Sequence, residues 1–307
     1  MATAFITHPH CRKHDMGAYH PECPERLGAI DDQLIASGIG QHLAQHEAPQ
    51  AKVSSLARVH SMEYISHVRS SAPVSGTVHL DPDTAMNPHT WDAALHAAGA
   101  AVLATDLVLE READSAFCSV RPPGHHATRN RAMGFCLFNN VAIGARHALE
   151  QHGLERVAIV DFDVHHGNGT EDIFSDDARV LMVSTFQHPF YPYSGTEDPA
   201  PNMVNVPLPA GAGSQLFREA VTLRWLPALE AFRPQMVFFS AGFDAHVEDD
   251  MAMLRLVDAD YTWVTQEIKA VADKYAEGRM VSVLEGGYNL SALARSVVAH
   301  IRVLSGL

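Results

Sequence analysis

The chain has 307 residues, 47% of them hydrophobic, and carries a formal charge of −14 at neutral pH. That length sustains a large core, and with no Pro-, Ser- or charge-rich linker to divide it, residues 1–307 are expected to form one domain. The acidic balance and the lack of a basic tract exclude general nucleic-acid binding, since nothing would displace counterions from phosphates, and suit cationic substrates instead.

At the N-terminus, residues 1–8 show no basic segment followed by an apolar one, and no uninterrupted run approaches the roughly 18 apolar residues of a membrane span. Cys11, Cys23, Cys118 and Cys136 show neither paired spacing nor the density of a secreted scaffold. A soluble protein in a reducing, cytoplasmic setting is expected, with no membrane partner. Short apolar runs then alternate with amphipathic segments to the end of the chain, the pattern of an α/β fold with a mainly parallel central sheet between helical layers. In chain order the strands are expected at Ala4 to Thr7, Ser115 to Val120, Val157 to Asp161, Val180 to Thr185, Met236 to Ala241 and Met280 to Leu284. Helices are expected at Glu25 to Ser37, Thr90 to Leu109, Asn140 to Gln151, Gln215 to Phe232, Ala259 to Ala276 and Leu290 to Leu304. Pro24 and Gly38 bracket the first, Ser214 can cap the fourth, and Pro234 follows it.

The segments that follow the strands are long or rich in glycine, and each carries polar groups of catalytic type. They should crowd one edge of the sheet, where ligands bind in open α/β folds. After Val157 to Val160 come Asp161, Asp163 and His165, which an extended chain projects to one side while Phe162 and Val164 project to the other. Asp244 follows another apolar strand and can join Asp163 and His165 around a metal, leaving a further position for water or substrate. An acidic turn before the next helix is the bland alternative. Two carboxylates would leave a bound water less acidified than an all-histidine site does, so a separate base is needed. His125 and His126 can supply it, oriented by Asp161 and Asn168, with one imidazole charged and the other neutral. Exposed loop histidines are the alternative in a chain with 20 of them. Tyr288, in a Gly-Gly-Tyr turn, can donate to an oxyanion or serve only the turn. Gly134, Phe135, Phe190 and Tyr191 offer aromatic walls for a narrow alkyl stem, or simply core.

Arg121-Pro-Pro-Gly-His-His126, Gly134-Phe-Cys-Leu-Phe-Asn-Asn140, Asp161-Phe-Asp-Val-His-His-Gly-Asn-Gly169, Ala241-Gly-Phe-Asp-Ala-His246 and Glu285-Gly-Gly-Tyr-Asn289 together resemble the zinc-dependent histone deacetylase superfamily, in order and over nearly the whole chain. His20-Pro-Glu-Cys-Pro-Glu-Arg26 and Asn168 are more similar to the class II enzymes and bacterial acetylpolyamine amidohydrolases. The resemblance implies a three-layer α/β/α domain of the arginase/deacetylase type, with one zinc held by Asp163, His165 and Asp244. It further implies potassium near Asp161, Asp163, His165, Ser184 and Thr185, and a second potassium lined by Phe174, Asp177, Val180 and Asn202. Phe135 and Tyr191 would flank an acyl-lysine tunnel, and Arg26 would line the cavity through which acetate leaves. The loop before Tyr191 is shorter than in class I enzymes, and Phe186 stands where a His is common.

The expected activity is hydrolysis of an N-acetylated primary amine, either an acetyl-lysine side chain or an acetylpolyamine. An arginase-like ureohydrolase and a catalytically silent acyl-lysine binder are the competing readings. Met251 falls where an acidic gatekeeper would favour a polyamine, while Asp81 and Asp83 could supply acidity at the rim. A permissive deacylase acting on small acylated amines or acyl-lysine peptides is therefore favoured. The chain length is compatible with a homo-oligomer.

Overall fold

A computed structural model describes residues 2–307. From the N-terminus the chain forms β1 (Ala4–Thr7), α1 (Glu25–Ser37), β2 (Ala44–Glu47), α2 (Val53–Leu56), α3 (Met62–Ser71), β3 (Val78–Asp81), β4 (Thr84–Met86) and α4 (Thr90–Leu109). The middle contributes β5 (Ser115–Cys118), α5 (Asn140–Glu150), β6 (Val157–Asp161), α6 (Asn168–Phe174), β7 (Val180–Gln187) and β8 (Met203–Leu208). Then follow α7 (Ser214–Ala220), α8 (Leu226–Phe232), β9 (Met236–Ala241), α9 (Asp258–Tyr275), β10 (Met280–Leu284) and α10 (Leu290–Leu304).

Among the described residues, eight strands form one sheet in the order β2-β1-β5-β10-β9-β6-β7-β8, and every neighbouring pair is parallel. Strands β5, β6, β7, β9 and β10 are buried throughout, which explains their near-continuous apolar sequences. Helices α4 and α5 pack on each other and on one side of the sheet, while α1, α9 and α10 form the other packed set. The mainly parallel α/β sheet is as the alternation predicts, and its three-layer α/β/α arrangement is as the resemblance implies.

Register sets up the active edge. Asp161 pairs with Ser184 on one side and Ser240 on the other, and Leu284 lies beside Ala241. The carboxyl ends of β6, β7, β9 and β10 are thus level, and the loops that leave them meet.

Several expectations need correction. Strand β5 stops at Cys118 rather than Val120, and β7 continues to Gln187. The helix expected over Gln215 to Phe232 contains a π-helical segment at Val221–Trp225 between α7 and α8. Ser214 does not cap it: Gly213 is the N-cap, and Ser214 Oγ donates to Asp260 Oδ2 at 2.6 Å. Edge strands β2 and β8 carry exposed polar positions or a proline, so their pairing is imposed by β1 and β7 rather than by hydrophobic pattern. The 20-residue α4 is long and apolar enough by composition to cross a membrane, closer to a span than the run-length argument allows; most of it is buried inside the fold, packed on β1, β5, β10 and α5.

Candidate active site

Buried strand β6 carries Asp161 at its carboxyl end, and the turn after it delivers Asp163 and His165. The turn after β9 delivers Asp244, and the ligand-type atoms of Asp163, His165 and Asp244 all lie within 4.8 Å of one another. His165 Nδ1 sits 2.9 Å from Asp163 Oδ1 and 3.2 Å from Asp244 Oδ2. The outer carboxylate oxygens are anchored by backbone: Gly286 N donates to Asp163 Oδ2 at 2.9 Å, and Val164 N to Asp244 Oδ1 at 2.9 Å. A side chain at Gly286 would collide with both carboxylates, so only glycine lets the β10 turn approach so closely.

All three groups are buried, which makes their charges costly unless compensated. Burial, and then the charge of Asp163, raises the Asp244 carboxyl to about 6. Burial works against a charge on His165, but hydrogen bonds to Asp163 and Asp244 overcome it and raise the imidazole to about 9. A proton on His165 Nδ1 lies between the two carboxylates. Beyond the 3.2 Å approach of His165, Asp244 Oδ2 has no partner among the described residues. Two carboxylates and one imidazole converging in a dry pocket fit a divalent cation of the zinc type, which competes with that proton for the same atoms.

His125 and His126 lie beside this group with ring centroids 4.1 Å apart. His125 Nδ1 donates to Asp161 Oδ2 at 3.0 Å, and His126 Nδ1 donates to Asn168 Oδ1 at 2.7 Å. The partners decide the charges. Burial opposes a charge on His125, but the carboxylates of Asp163 and Asp161 outweigh it and hold the ring well above the usual histidine range. Burial, together with the charges of His125 and His165, holds His126 well below that range, and a neutral amide on Nδ1 does little to offset them. Helix α6 fixes this loop: Gly169 N and Thr170 N donate to His125 O at 3.0 and 3.2 Å. A Cβ on Gly169 would strike the Ala127 and His126 backbone, so the Gly-Asn-Gly sequence brings Asn168 within reach.

A cavity of about 180 Å³ opens onto this floor, lined by Asp83, His126, Gly134, Phe135, His165, Phe190, Tyr191, Met251 and Tyr288. The lining thus brings together Gly134, Phe135, Tyr191 and Met251. Phe135 meets Tyr288 edge-on at 5.9 Å, and Phe190 stacks on His165 at 5.5 Å. Burial and the nearby charge of Asp244 hold the Tyr288 phenol well above its usual range, so it remains a donor. Asp81 is a correction: it is absent from this lining and is paired with Arg131, leaving Asp83 as the acidic group at the rim. Arg26 is buried behind Tyr288, its guanidinium 5.2 Å from that ring, with Nε donating to Gly287 O at 2.7 Å and Nη1 to Glu22 Oε1 at 3.0 Å.

Ser184 lies beside Asp161 in register, and its buried Oγ has no partner among the described residues. Thr185 follows it in the buried β7. Around the second expected potassium, Asn202 Nδ2 donates to the carbonyls of Phe174, Asp177 and Val180 at 2.8, 3.2 and 2.9 Å. Two amide hydrogens shared among three carbonyls leave acceptor capacity in that ring.

Sequence reasoning passed over three supporting carboxylates. Glu285 Oε2 accepts Gly124 N at 2.7 Å and His125 N at 3.1 Å, holding the histidine pair from β10. Asp249 Oδ2 accepts Tyr288 N at 2.6 Å and Asn289 N at 2.9 Å. Glu22 binds both Arg26 and Arg121 in a fully buried cluster. Glu285 had a signal, a carboxylate ending an apolar strand. Asp249 sits in an acidic run that reads as solvated surface.

Known proteins share this arrangement of chain. A family profile described as "Histone deacetylase domain" matches residues 20–304. The "Histone deacetylase-like amidohydrolase" of Pseudomonas aeruginosa is 38% identical over 297 residues, covering 94% of this chain and 78% of its own. The "Polyamine deacetylase HDAC10" of Homo sapiens is 36% identical over 328 residues, covering 100% of this chain and 48% of its own. Among solved structures, the HDA15 HD domain has a TM-score of 0.94 at 35% identity, covering 100% of this chain and 89% of that one. The chain belongs to the histone deacetylase family of deacetylases and amidohydrolases.

Proposed function

We propose that this protein is a zinc-dependent deacylase that hydrolyses N-acetylated primary amines, chiefly acetyl-lysine side chains, to free amine and acetate. The observation that carries the reading is the pair of adjacent buried histidines with opposed charge preferences, set at the floor of an aromatic cavity beside a two-carboxylate, one-imidazole cluster.

Asp163, His165 and Asp244 would hold the zinc, which supplies Lewis-acid polarisation of the amide carbonyl and of a water molecule when bound. The remaining work belongs to side chains of this chain. His126 keeps its Nδ1 proton on Asn168, which leaves Nε2 free to take a proton from water and return it to the leaving amine. His125, held protonated by Asp161, contributes fixed positive charge at the point where negative charge develops. Tyr288 stays protonated and donates to the oxyanion of the tetrahedral intermediate. Phe135 and Tyr191 confine the alkyl stem, and the cavity behind Tyr288, beside Arg26, provides the route for acetate.

Ser184 Oγ, buried without a partner beside Asp161, supports a potassium ion at the end of β6 and β7. Four free cysteines, three of them buried, support a reducing cytoplasmic setting. One observation favours acetylpolyamines as the alternative substrates, namely Asp83 at the cavity lining, against which stands uncharged Met251 on the same wall. Tyr288 at the cavity argues against a silent binder. One candidate ligand group at the floor of this cavity among the described residues, rather than a bridged pair, argues against arginase-like chemistry.

Elemental analysis paired with kcat/KM for acetyl-lysine peptides, acetylputrescine and longer acyl-lysines tests the reading. Stoichiometric zinc with turnover that chelation abolishes and zinc restores is expected. Full activity after removal of all metal would overturn it.

A further inference from the structure

At the opposite end of α4 and α5 from the catalytic loops lies a second histidine and carboxylate group, which the reaction does not use. Asp106 is near the carboxyl end of α4, His147 in the last turn of α5, and His152 just beyond it. Both imidazoles point Nε2 at the same atom, Asp106 Oδ1, His147 from 2.6 Å and His152 from 2.7 Å. Their rings meet at 74° with centroids 5.4 Å apart, so the two Nε2 atoms approach the carboxylate from different directions, leaving the three ligand-type atoms close enough to share one ion. The three side chains are only partly exposed, at 35%, 12% and 21% for Asp106, His147 and His152, which leaves an approach for an ion while limiting side-chain freedom.

A third set, His8, His10 and His96, is equally compact but differently built. His8 and His96 stack with centroids 3.4 Å apart and planes 7° from parallel, so no one ion can lie in both ring planes. His8 Nδ1 also accepts His10 N at 3.1 Å, which commits that ring to the backbone.

We propose that Asp106, His147 and His152 form a second metal site, binding one divalent transition ion of nitrogen-preferring type through the two Nε2 atoms and Asp106 Oδ1, with water completing the shell. Coordination through Nε2 places each imidazole's proton on Nδ1, a change of tautomer that leaves the proton count unchanged. At His147 this requires Arg58, whose Nη1 is 3.0 Å from Nδ1, to turn away; Glu150, 3.5 Å from Arg58 Nε, is the partner it turns toward. The ion would tie α4 to α5 at the sheet edge remote from the substrate.

Cobalt alone is the probe. Chelator-stripped full-length protein is dialysed against cobalt and analysed for metal per chain. Wild type is expected to take two equivalents, His147→Gln/His152→Gln one, Asp244→Ala one, and the three changes combined none. The histidine pair variant, reloaded with cobalt, should keep its deacetylase turnover within about twofold, since the cluster is remote from the reacting atoms. Should that variant fail to fold by circular dichroism, Asp106→Asn replaces it with the same expectation of one equivalent. A second readout is thermal: cobalt should raise the unfolding midpoint of Asp244→Ala but not that of the combined variant. One equivalent in wild type, or two retained in a folded His147→Gln/His152→Gln or Asp106→Asn protein, would overturn the site.

Discussion

Asp163, His165 and Asp244 at the carboxyl edge of the sheet, and Asp106, His147 and His152 on the α4–α5 face, are built from the same residue types at similar spacing, yet they differ in what holds their charge. The first group is buried, with an outer oxygen of each carboxylate held by a backbone N–H. Asp244 is pushed up to about 6 and His165 up to about 9, while at Asp163 burial is outweighed by the charges of His125 and His165, which hold it low. The second borders solvent. There burial works against ionisation of Asp106, but the hydrogen bonds from His147 and His152 prevail and its carboxyl is lowered. A buried cluster with two carboxylates retains a proton until a cation replaces it, whereas a half-exposed carboxylate with two imidazole donors has its charge compensated before an ion binds. Burial therefore makes the first group the one whose charge balance a bound cation would change most.

Matched substitutions in the two groups should separate them most widely. Asp163→Ala, His165→Ala or Asp244→Ala is expected to abolish zinc retention and turnover together, while Asp106→Asn leaves zinc-supported turnover within about twofold. Elemental analysis beside an acetyl-lysine assay reads both. Full zinc occupancy in one of the first three would remove that residue from the ligand set.

Within the first group, ligands and proton-handling residues should also part. Tyr288→Phe is expected to keep zinc and KM while lowering kcat by roughly 10²- to 10³-fold, because an oxyanion donor acts chiefly in the transition state. Unchanged kcat would leave Tyr288 a structural residue of its turn. His126→Ala should be at least as damaging and should flatten the acidic limb of the rate profile. Because burial and the charges of His125 and His165 lower His126, that limb should lie below the ordinary histidine range in wild type. Asn168→Asp puts a carboxylate on Nδ1, so it should move the limb toward higher pH.

The two charge arrangements also predict different responses to alkali. A raised folded-state value means the native chain holds more protons than the unfolded chain, so stability falls as pH rises through the window. For Asp244 that window runs from its ordinary value of 3.8 to about 6, and for His165 from 6.5 to about 9. Chelated protein should therefore lose thermal stability steadily from pH 4 to 9 relative to zinc-loaded protein, in which neither group carries the proton. Asp244→Asn should remove the lower part of that slope. Parallel curves for chelated and loaded protein would show that the cluster does not hold its protons as described.

How much of this was legible beforehand follows from which interactions are local. The proposed ligands, both histidines, Tyr288 and the pair Asp161 and Asn168 that hydrogen-bond the histidines stand directly after buried strands or in glycine-bearing turns, where a polar group interrupting an apolar pattern is visible in one dimension. The long helices α1, α4 and α10 were readable to their ends because apolar spacing agreed with Pro24, Gly38 and the flanking loops. Edge strands β2 and β8 were not, since a strand paired on one side needs little apolar sequence. Glu22 and Asp249 were hidden for another reason. Each acts on partners far along the chain, Arg121 and the backbone of Tyr288, and only folding reveals that a carboxylate in a polar stretch is buried. Asp81 shows the reverse error: an acidic residue close to Asp83 in sequence turns to Arg131 instead of the cavity.

The smallest expected effect lies at the rim, and it concerns substrate choice. Met251 and Asp83 both line the cavity, but Asp83 Oδ1 already accepts Gly134 N at 3.1 Å and Thr84 Oγ1 at 2.9 Å, so much of its charge is spent on its own loop. Met251 presents no charge to a second amine. A carboxylate introduced there would face the distal ammonium of an acetylpolyamine across a partly solvated opening, where screening limits the gain to about 1 kcal/mol, or roughly a factor of five in relative kcat/KM. Met251→Glu is thus expected to raise the ratio of acetylputrescine to acetyl-lysine peptide turnover by about that factor at low salt and less at high salt, with zinc content unchanged. Since the gain rests on a charge at the cavity mouth, Met251→Gln should leave the ratio where it is. An equal rise in both variants would assign the change to shape instead. Wild-type turnover of acetylputrescine already far above that of every acetyl-lysine peptide would show that recognition is built from groups other than these two.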